Sequence, residues 1–179
     1  MDQRMKTAVA LIFCATLTGG ILEAHAADCP AGSEDYAAYQ RDLLFQRFSH
    51  PRLGATTCYP VTLFPIVEPT ADGFRFASDD GLSWFTLTHD VLDGRRSIQG
   101  MMEQAERDLL ARSASITYSR IKDNWFVLSG HTGDRIYYLR TVVDSATLAA
   151  DTLHISIPVE QKTFYYDIIT RMSRSFRLR

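Results

Sequence analysis

The sequence is poor in most of the patterns that announce a chemistry. No G-x-G-x-x-G follows a candidate strand and no P-loop lysine is present, so no nucleotide cofactor is expected. No G-x-S-x-G surrounds a serine. His50, His89 and His154 offer no pair at the i, i+4 spacing of a helical zinc motif. The run from His89 and Asp90 to Asp93 has too few regularly spaced oxygens for a calcium loop, and Asp79-Asp80-Gly81 reads as a turn before it reads as a metal site. Internal repeats, low-complexity runs and Pro/Ser-rich linkers are missing, which leaves a single folded domain. Positive charge is not in excess: 19 Lys and Arg stand against 21 Asp and Glu, a net charge of −2. That balance argues against a nucleic-acid partner.

Long apolar runs are also missing. The longest, Ala8 to Leu17 continuing into Gly19-Gly20-Ile21-Leu22, is too short and too interrupted for a transmembrane anchor. It follows a small basic region with Arg4 and Lys6 and precedes Ala24-His25-Ala26, a small-x-small cleavage site. Residues 1–26 therefore read as an export signal, and 27–179 as one globular domain that is periplasmic or secreted. Cleavage removes Arg4 and Lys6 but also Asp2 and Glu23, so the mature net charge is unchanged. Neither Phe13, before Cys14, nor Asp28, before Cys29, suits a lipid-anchor signal. Cysteine is scarce, at three, and Cys14 leaves with the signal. The remaining pair, Cys29 and Cys58, is expected to form a disulfide, because an oxidising compartment disfavours a free catalytic thiol. Closing a loop of about 30 residues adds roughly 3 to 4 kcal/mol in the chain-entropy account.

What is abundant is sheet-forming sequence. Asn124 to Val143, NWFVLSGHTGDRIYYLRTVV, reads as a β-hairpin around a turn at Gly130-His131-Thr132-Gly133-Asp134. Both arms are apolar on both faces, which predicts a position in the middle of a covered sheet and a buried Trp125. Earlier in the chain, Ser33 caps a helix that carries Tyr36, Tyr39, Leu43 and Leu44 to about Arg47. Tyr59 to Val67 reads as an edge strand, since Pro60 and Pro65 cannot donate to a ladder. Gly73–Ser78 and Leu82–His89 continue a meander. A helix from Ile98 to Ala111, capped by Ser97, shows an apolar stripe at Ile98, Met101, Met102, Ala105 and Leu109. Ser115–Ile121 and Leu153–Ile157 are further strands. A last helix, from about Gln161 to Phe176, carries Phe164, Ile168 and Met172 on one side. Runs of adjacent strands favour an antiparallel sheet with helices against it.

The second half also resembles a known group. Ser78, Asp80 and Gly81 form an SxDG turn, Trp125–Gly130 reads WFVLSG, Tyr137–Arg140 reads YYLR, and the closing helix ends in Ser175-Phe176. From Tyr59 to Phe176 the chain is similar to uncharacterised exported bacterial proteins with the PsbP/Mog1-like fold. The resemblance implies an α+β protein: an α/β/α sandwich around a central, mostly antiparallel sheet of about six to seven strands. It implies binding or assembly rather than catalysis, and it supplies no catalytic residues.

Three side chains at the hairpin tip still call for weighing. Ser129, His131 and Asp134 are the ingredients of a triad, but one hairpin loop is poorly built to aim all three at each other and leave room for substrate. Gly130 and Gly133 are explained as positive-φ turn residues. At the C-terminal end, Arg171, Arg174 and Arg177, with Arg179, interleave with Phe176 and Leu178; this is helix-dipole complementarity or a small basic-aromatic binding patch. The reading that results is a small exported protein with a non-catalytic binding or envelope-assembly role, its partner a protein or an envelope component. The rivals are an exported hydrolase using Ser129 and His131, and a small-ligand carrier with a pocket between the sheet and the Met101/Met102 helix.

Overall fold

The computed structural model describes Cys29, residues 43–94 and residues 96–179. Ten strands and two helices are built from them: β1 Phe45–Phe48, β2 Ala55–Pro60, β3 Ile66–Pro69, β4 Gly73–Ala77, β5 Trp84–Val91, α1 Ile98–Ala111, β6 Ser115–Lys122, β7 Trp125–Thr132, β8 Arg135–Asp144, β9 Ala149–Pro158, α2 Lys162–Ser175 and β10 Arg177–Leu178. Seven strands form one antiparallel sheet in the order β3-β4-β5-β9-β8-β7-β6. The other three, β1-β2-β10, form a small second sheet.

The main sheet is covered on both faces. On one, α2 and the small sheet enclose Phe76, Phe85, Leu87, Leu153, Ile155 and Ile157 against Tyr165, Ile168 and Met172. Rings fill its centre: Phe76 stacks on Phe85 at 4.2 Å, and Phe48 and Phe64 meet that pair edge-on at 4.9 and 5.0 Å. Such pairs add to simple area burial. On the other face, α1 sets Met102 with Phe126, Leu128 and Tyr137. The Ser97 hydroxyl accepts the Gly100 N–H at 3.1 Å, as its capping position predicts. The Cys29–Cys58 disulfide is formed, with Cα atoms 5.7 Å apart, and ties Cys29 to β2. Ser175, at the end of α2, is buried; its Oγ accepts the Cys58 N–H at 2.8 Å and donates to Met172 O at 2.8 Å, locking helix to small sheet.

Several expectations need correcting. The helix expected from Ser33 to Arg47 falls mostly outside the described residues, but its end is strand, not helix: Phe45–Phe48 pairs with β2 because both phenylalanines are buried there. Tyr59–Val67 is not one strand. Leu63 and Phe64 both donate to Pro60 O, turning the chain so that Phe64 reaches the core before β3 begins at Ile66. β3 does lie at the edge of the main sheet, but neither of the two prolines that suggested an edge is in it: Pro60 ends β2, the middle strand of the small sheet, and Pro65 precedes β3. The hairpin is displaced by one strand, because the middle strand is β9, buried along most of its length, and β7 is second from the edge. Trp125 is accordingly half-buried. Its turn is also tighter than expected, with only Gly133 and Asp134 between the paired Thr132 and Arg135. Gly133 has φ +59°, the conformation such a turn requires. Gly130 does not. It sits inside β7, where an added Cβ would lie 1.7 Å from Ser115 O. β10, two residues paired with Ala55 and Thr56, was not foreseen.

Candidate functional site: a basic and aromatic face beside the last helix

α2 covers only part of its sheet face. Beyond it, β6, β7 and β8 carry a strip whose rows follow from the register: Tyr118, Ser129 and Tyr138; then Arg120, Val127 and Arg140; then Lys122, Trp125 and Val142. The strip is exposed along β6 and closes over the buried Val127 and Val142. The first row depends on a β-bulge. Between β6 and β7 the register shifts at Ile116/Tyr118, so Thr117 is the extra residue and its hydroxyl donates to Ser129 O at 3.3 Å. The bulge sends Ile116 to the α1 side and Tyr118 to the α2 side, although the two are only two residues apart.

Between this strip and α2 runs a groove of about 380 Å³. Tyr118, Ser129, Ile136 and Tyr138 line it from the sheet, and Lys162, Tyr166 and Ile169 from the helix. Its rim is apolar and open: Tyr118 is 48 % exposed and Tyr166 65 % exposed. Such a volume falls at the small end of ligand sites.

Two arginines and two lysines adjoin the groove: Lys162 lines it, Arg120 and Arg140 stand in the next row, and Lys122 beyond them meets Asp123 at 3.8 Å. The guanidinium groups of Arg120 and Arg140 lie 5.6 and 4.8 Å from the Trp125 ring centroid, a double cation–π contact. Arg140 is half-buried and donates to Ser173 O at 2.8 Å and to Ser173 Oγ at 3.2 Å, while its buried Nε has no hydrogen-bond partner. Burial holds the Arg140 guanidinium below its ordinary pKa, but a guanidinium stays charged at neutral pH. Ser173 Oγ also meets Tyr138 Oη at 2.6 Å. Burial pushes the Tyr138 phenol up, so it remains a neutral hydroxyl.

The residues singled out in the sequence are distributed differently. Ser129 lines the groove, but its hydroxyl donates to Tyr137 O at 2.9 Å. His131, two residues along β7, is half-buried, and Asp134 is exposed in the turn; no hydrogen bond joins the three among the described residues. Arg171 lies over the Phe45 ring at 3.8 Å, and the Arg179 guanidinium donates to Leu53 O, so two of the four C-terminal arginines work within the fold. Arg174 and Arg177 are exposed. His89 does not join Asp90 at a cation site; its Nδ1 meets Asp151 Oδ1 at 3.1 Å, and Gly54 N donates to the same oxygen at 3.1 Å. Burial pushes the Asp151 carboxyl up, against the lowering effect of those bonds. Among the described residues no group of three His, Cys, Asp or Glu could hold a metal, and no helix is long and apolar enough to cross a membrane. Two hollows lie beside Met101, of about 270 and 160 Å³.

Sequence reading named Ser129 and missed the rest of this face. Trp125, Tyr138, Arg120 and Arg140 were visible as residue types. Only the β6 part of the face had a signal, the alternation Tyr118-x-Arg120-x-Lys122, which places one tyrosine and two cations on one side of a strand.

This chain, a seven-stranded antiparallel sheet with a helix against each face, has a PsbP/Mog1-like fold. The chain is similar to the solution structure of cyanobacterial PsbP (CyanoP) from Synechocystis, with a TM-score of 0.61 and 11 % identity over 75 % of this chain and 92 % of that one. It is also similar to the crystal structure of the Saccharomyces cerevisiae Ran-binding protein Mog1p, with a TM-score of 0.55 and 10 % identity over 76 % of this chain and 96 % of that one. No protein-family model and no curated protein matches the chain by sequence.

Proposed function

We propose that this is a small exported protein that binds a protein partner of the cell envelope without catalysing a reaction, and that the face between α2 and β6 is where it binds. The observation that carries this reading is the groove with its exposed rim and the exposed β6 edge beside it. Tyr118 and Tyr166 stay exposed around a groove, beside a tryptophan held between two arginines. Exposed aromatic and arginine side chains around a concavity are the usual anchors of a protein interface. Export is supported by the leader-like residues 1–26 and by the Cys29–Cys58 bond, which suits an oxidising compartment. Mature protein then begins at Ala27 or Asp28. The fold's neighbours supply a consistent background: one carries Ran-binding protein as its name.

The test is a photo-crosslinking residue placed in the cell at Tyr166, with Val67 on the far edge strand as control. A discrete adduct from Tyr166 and none from Val67 is expected. Adducts of equal yield from both positions, or none from either, refute the reading. A hydrolase built on Ser129 is not favoured, because its hydroxyl proton is committed to Tyr137 O.

A further inference from the structure

We infer that the partner presents an extended acidic segment that adds a strand along β6 and sets one apolar side chain in the groove; this rests on the partner-binding reading above. The charge is one-sided. Lys162 lines the groove, Arg120 and Arg140 lie in the next row of the sheet, and no Asp or Glu lines the groove. None of these three cations is paired with a carboxylate among the described residues. Lys122, one row further on, meets the exposed Asp123 at 3.8 Å, a solvated contact that an incoming carboxylate can replace. Carboxylates brought here meet cations whose charge the fold leaves uncompensated.

The shape selects a strand. The two edges of the main sheet differ: β3 has four residues and ends in Pro69, whereas β6 has eight, no proline, and is exposed over nearly its whole length. An unpaired edge offers a row of backbone donors and acceptors to an incoming chain. Arg120 and Lys122 on that edge deter indiscriminate pairing and admit a strand of opposite charge. A lipid surface fits less well, because the apolar groups here line a concavity instead of projecting from it.

The spacing follows from the pleat. Tyr118, Arg120 and Lys122 share one side of β6, so a paired strand places alternate residues beside them. The segment therefore carries an apolar residue beside Tyr118 and acidic residues beside Arg120 and Lys122. Read along the partner, this is acidic-x-acidic-x-apolar if the pairing is antiparallel, and the reverse if it is parallel.

The probe is a phage-displayed library of random dodecapeptides selected on the mature protein. Arg120→Glu, an exposed change that preserves the fold, serves as comparison, and vesicles of phosphatidylglycerol form a second arm. Enriched peptides are expected to carry the alternating acidic pattern, to bind Arg120→Glu at least about tenfold more weakly, to weaken with salt, and to slow amide exchange along β6. Peptides without acidic bias, equal binding to Arg120→Glu, unchanged β6 exchange or no enrichment each overturn the inference. Vesicle binding without peptide enrichment overturns it in favour of a membrane. The two readings fail separately: a specific Tyr166 adduct together with unbiased peptides leaves the binding face standing and removes only the acidic strand.

Discussion

Replacing Gly130 by alanine tests how β6 is held. The residue lies in β7 opposite Ile116, at the bulge that aims Tyr118 into the groove. A Cβ there would stand 1.7 Å from Ser115 O, 2.8 Å from Ser115 C and 2.9 Å from Tyr137 Oη. The tyrosine hydroxyl could swing aside, but the Ser115 carbonyl is backbone. Relief requires the start of β6 to move away by about 1.5 Å to reach ordinary contact distance, and the Tyr137 O–H···O Ser115 bond of 3.1 Å is lost with it. Overpacking of this kind costs about 1 to 3 kcal/mol and the bond about 1, so the sum is roughly 2 to 4 kcal/mol. For a domain of this size that lowers Tm by about 5 to 15 °C. Gly133→Ala is the matched control: nothing lies within 4 Å, and only its φ of +59° opposes a side chain. It should cost about 1 to 2 kcal/mol. Urea unfolding ranks the two variants, and amide exchange locates the damage. Gly130→Ala should open β6 first, while Gly133→Ala leaves β6 exchange unchanged. A Gly130→Ala protein no less stable than Gly133→Ala, or with β6 protected as in the wild type, refutes the close-approach argument.

Reducing the Cys29–Cys58 bond should lower stability by roughly 3 to 4 kcal/mol in the chain-entropy account; equal urea midpoints with and without reductant would count against it. Burial holds His154 down at about pH 4 from its ordinary 6.5, with Arg112 adding to the effect. Its ring is therefore neutral in the folded state while the unfolded chain takes up a proton below about pH 6.5. Stability should fall as pH drops from there to about 4, by roughly 2 to 3 kcal/mol for this group. His154→Phe should flatten the profile of unfolding free energy over that window, and an unaltered slope rejects the assignment. Trp125→Ala, at a half-buried ring with two guanidinium contacts, should cost roughly 2 kcal/mol, well short of the 3 to 5 of a core tryptophan, and a largely unfolded variant would show the ring to be a core group. Ser129→Ala should cost about 1 kcal/mol, for one hydrogen bond.

Much of this protein was legible in local pattern. α1 runs from Ile98 to Ala111 with Ser97 as its cap, as its period and capping residue require, because both signals act within one or two turns. The antiparallel sheet and the Cys29–Cys58 pairing follow from alternation and from simple counting. Period-two alternation cannot say which strand lies beside which. β7 and β8 were expected at the centre because both their faces are apolar, yet β9 took it, since β5 pairs with β9 across a separation of some sixty residues. Phe45 to Phe48 became strand, where local spacing suggested helix, because β2 offered it an edge and a core.

The candidate site divides along the same line. The residue types, and the alternation of Tyr118, Arg120 and Lys122, are sequence properties. That Tyr118 faces α2 while Ile116 faces α1 is not, for strict alternation puts both on one side. A single extra residue, Thr117, reverses the side, and whether a bulge forms there depends on the Ser115 carbonyl fitting over a residue without a Cβ on the neighbouring strand. The same limit explains the four C-terminal arginines. Their clustering is visible in one dimension, but Phe45 under Arg171 and the Leu53 carbonyl beside Arg179 come from segments more than a hundred residues away, and only the packed fold brings them there.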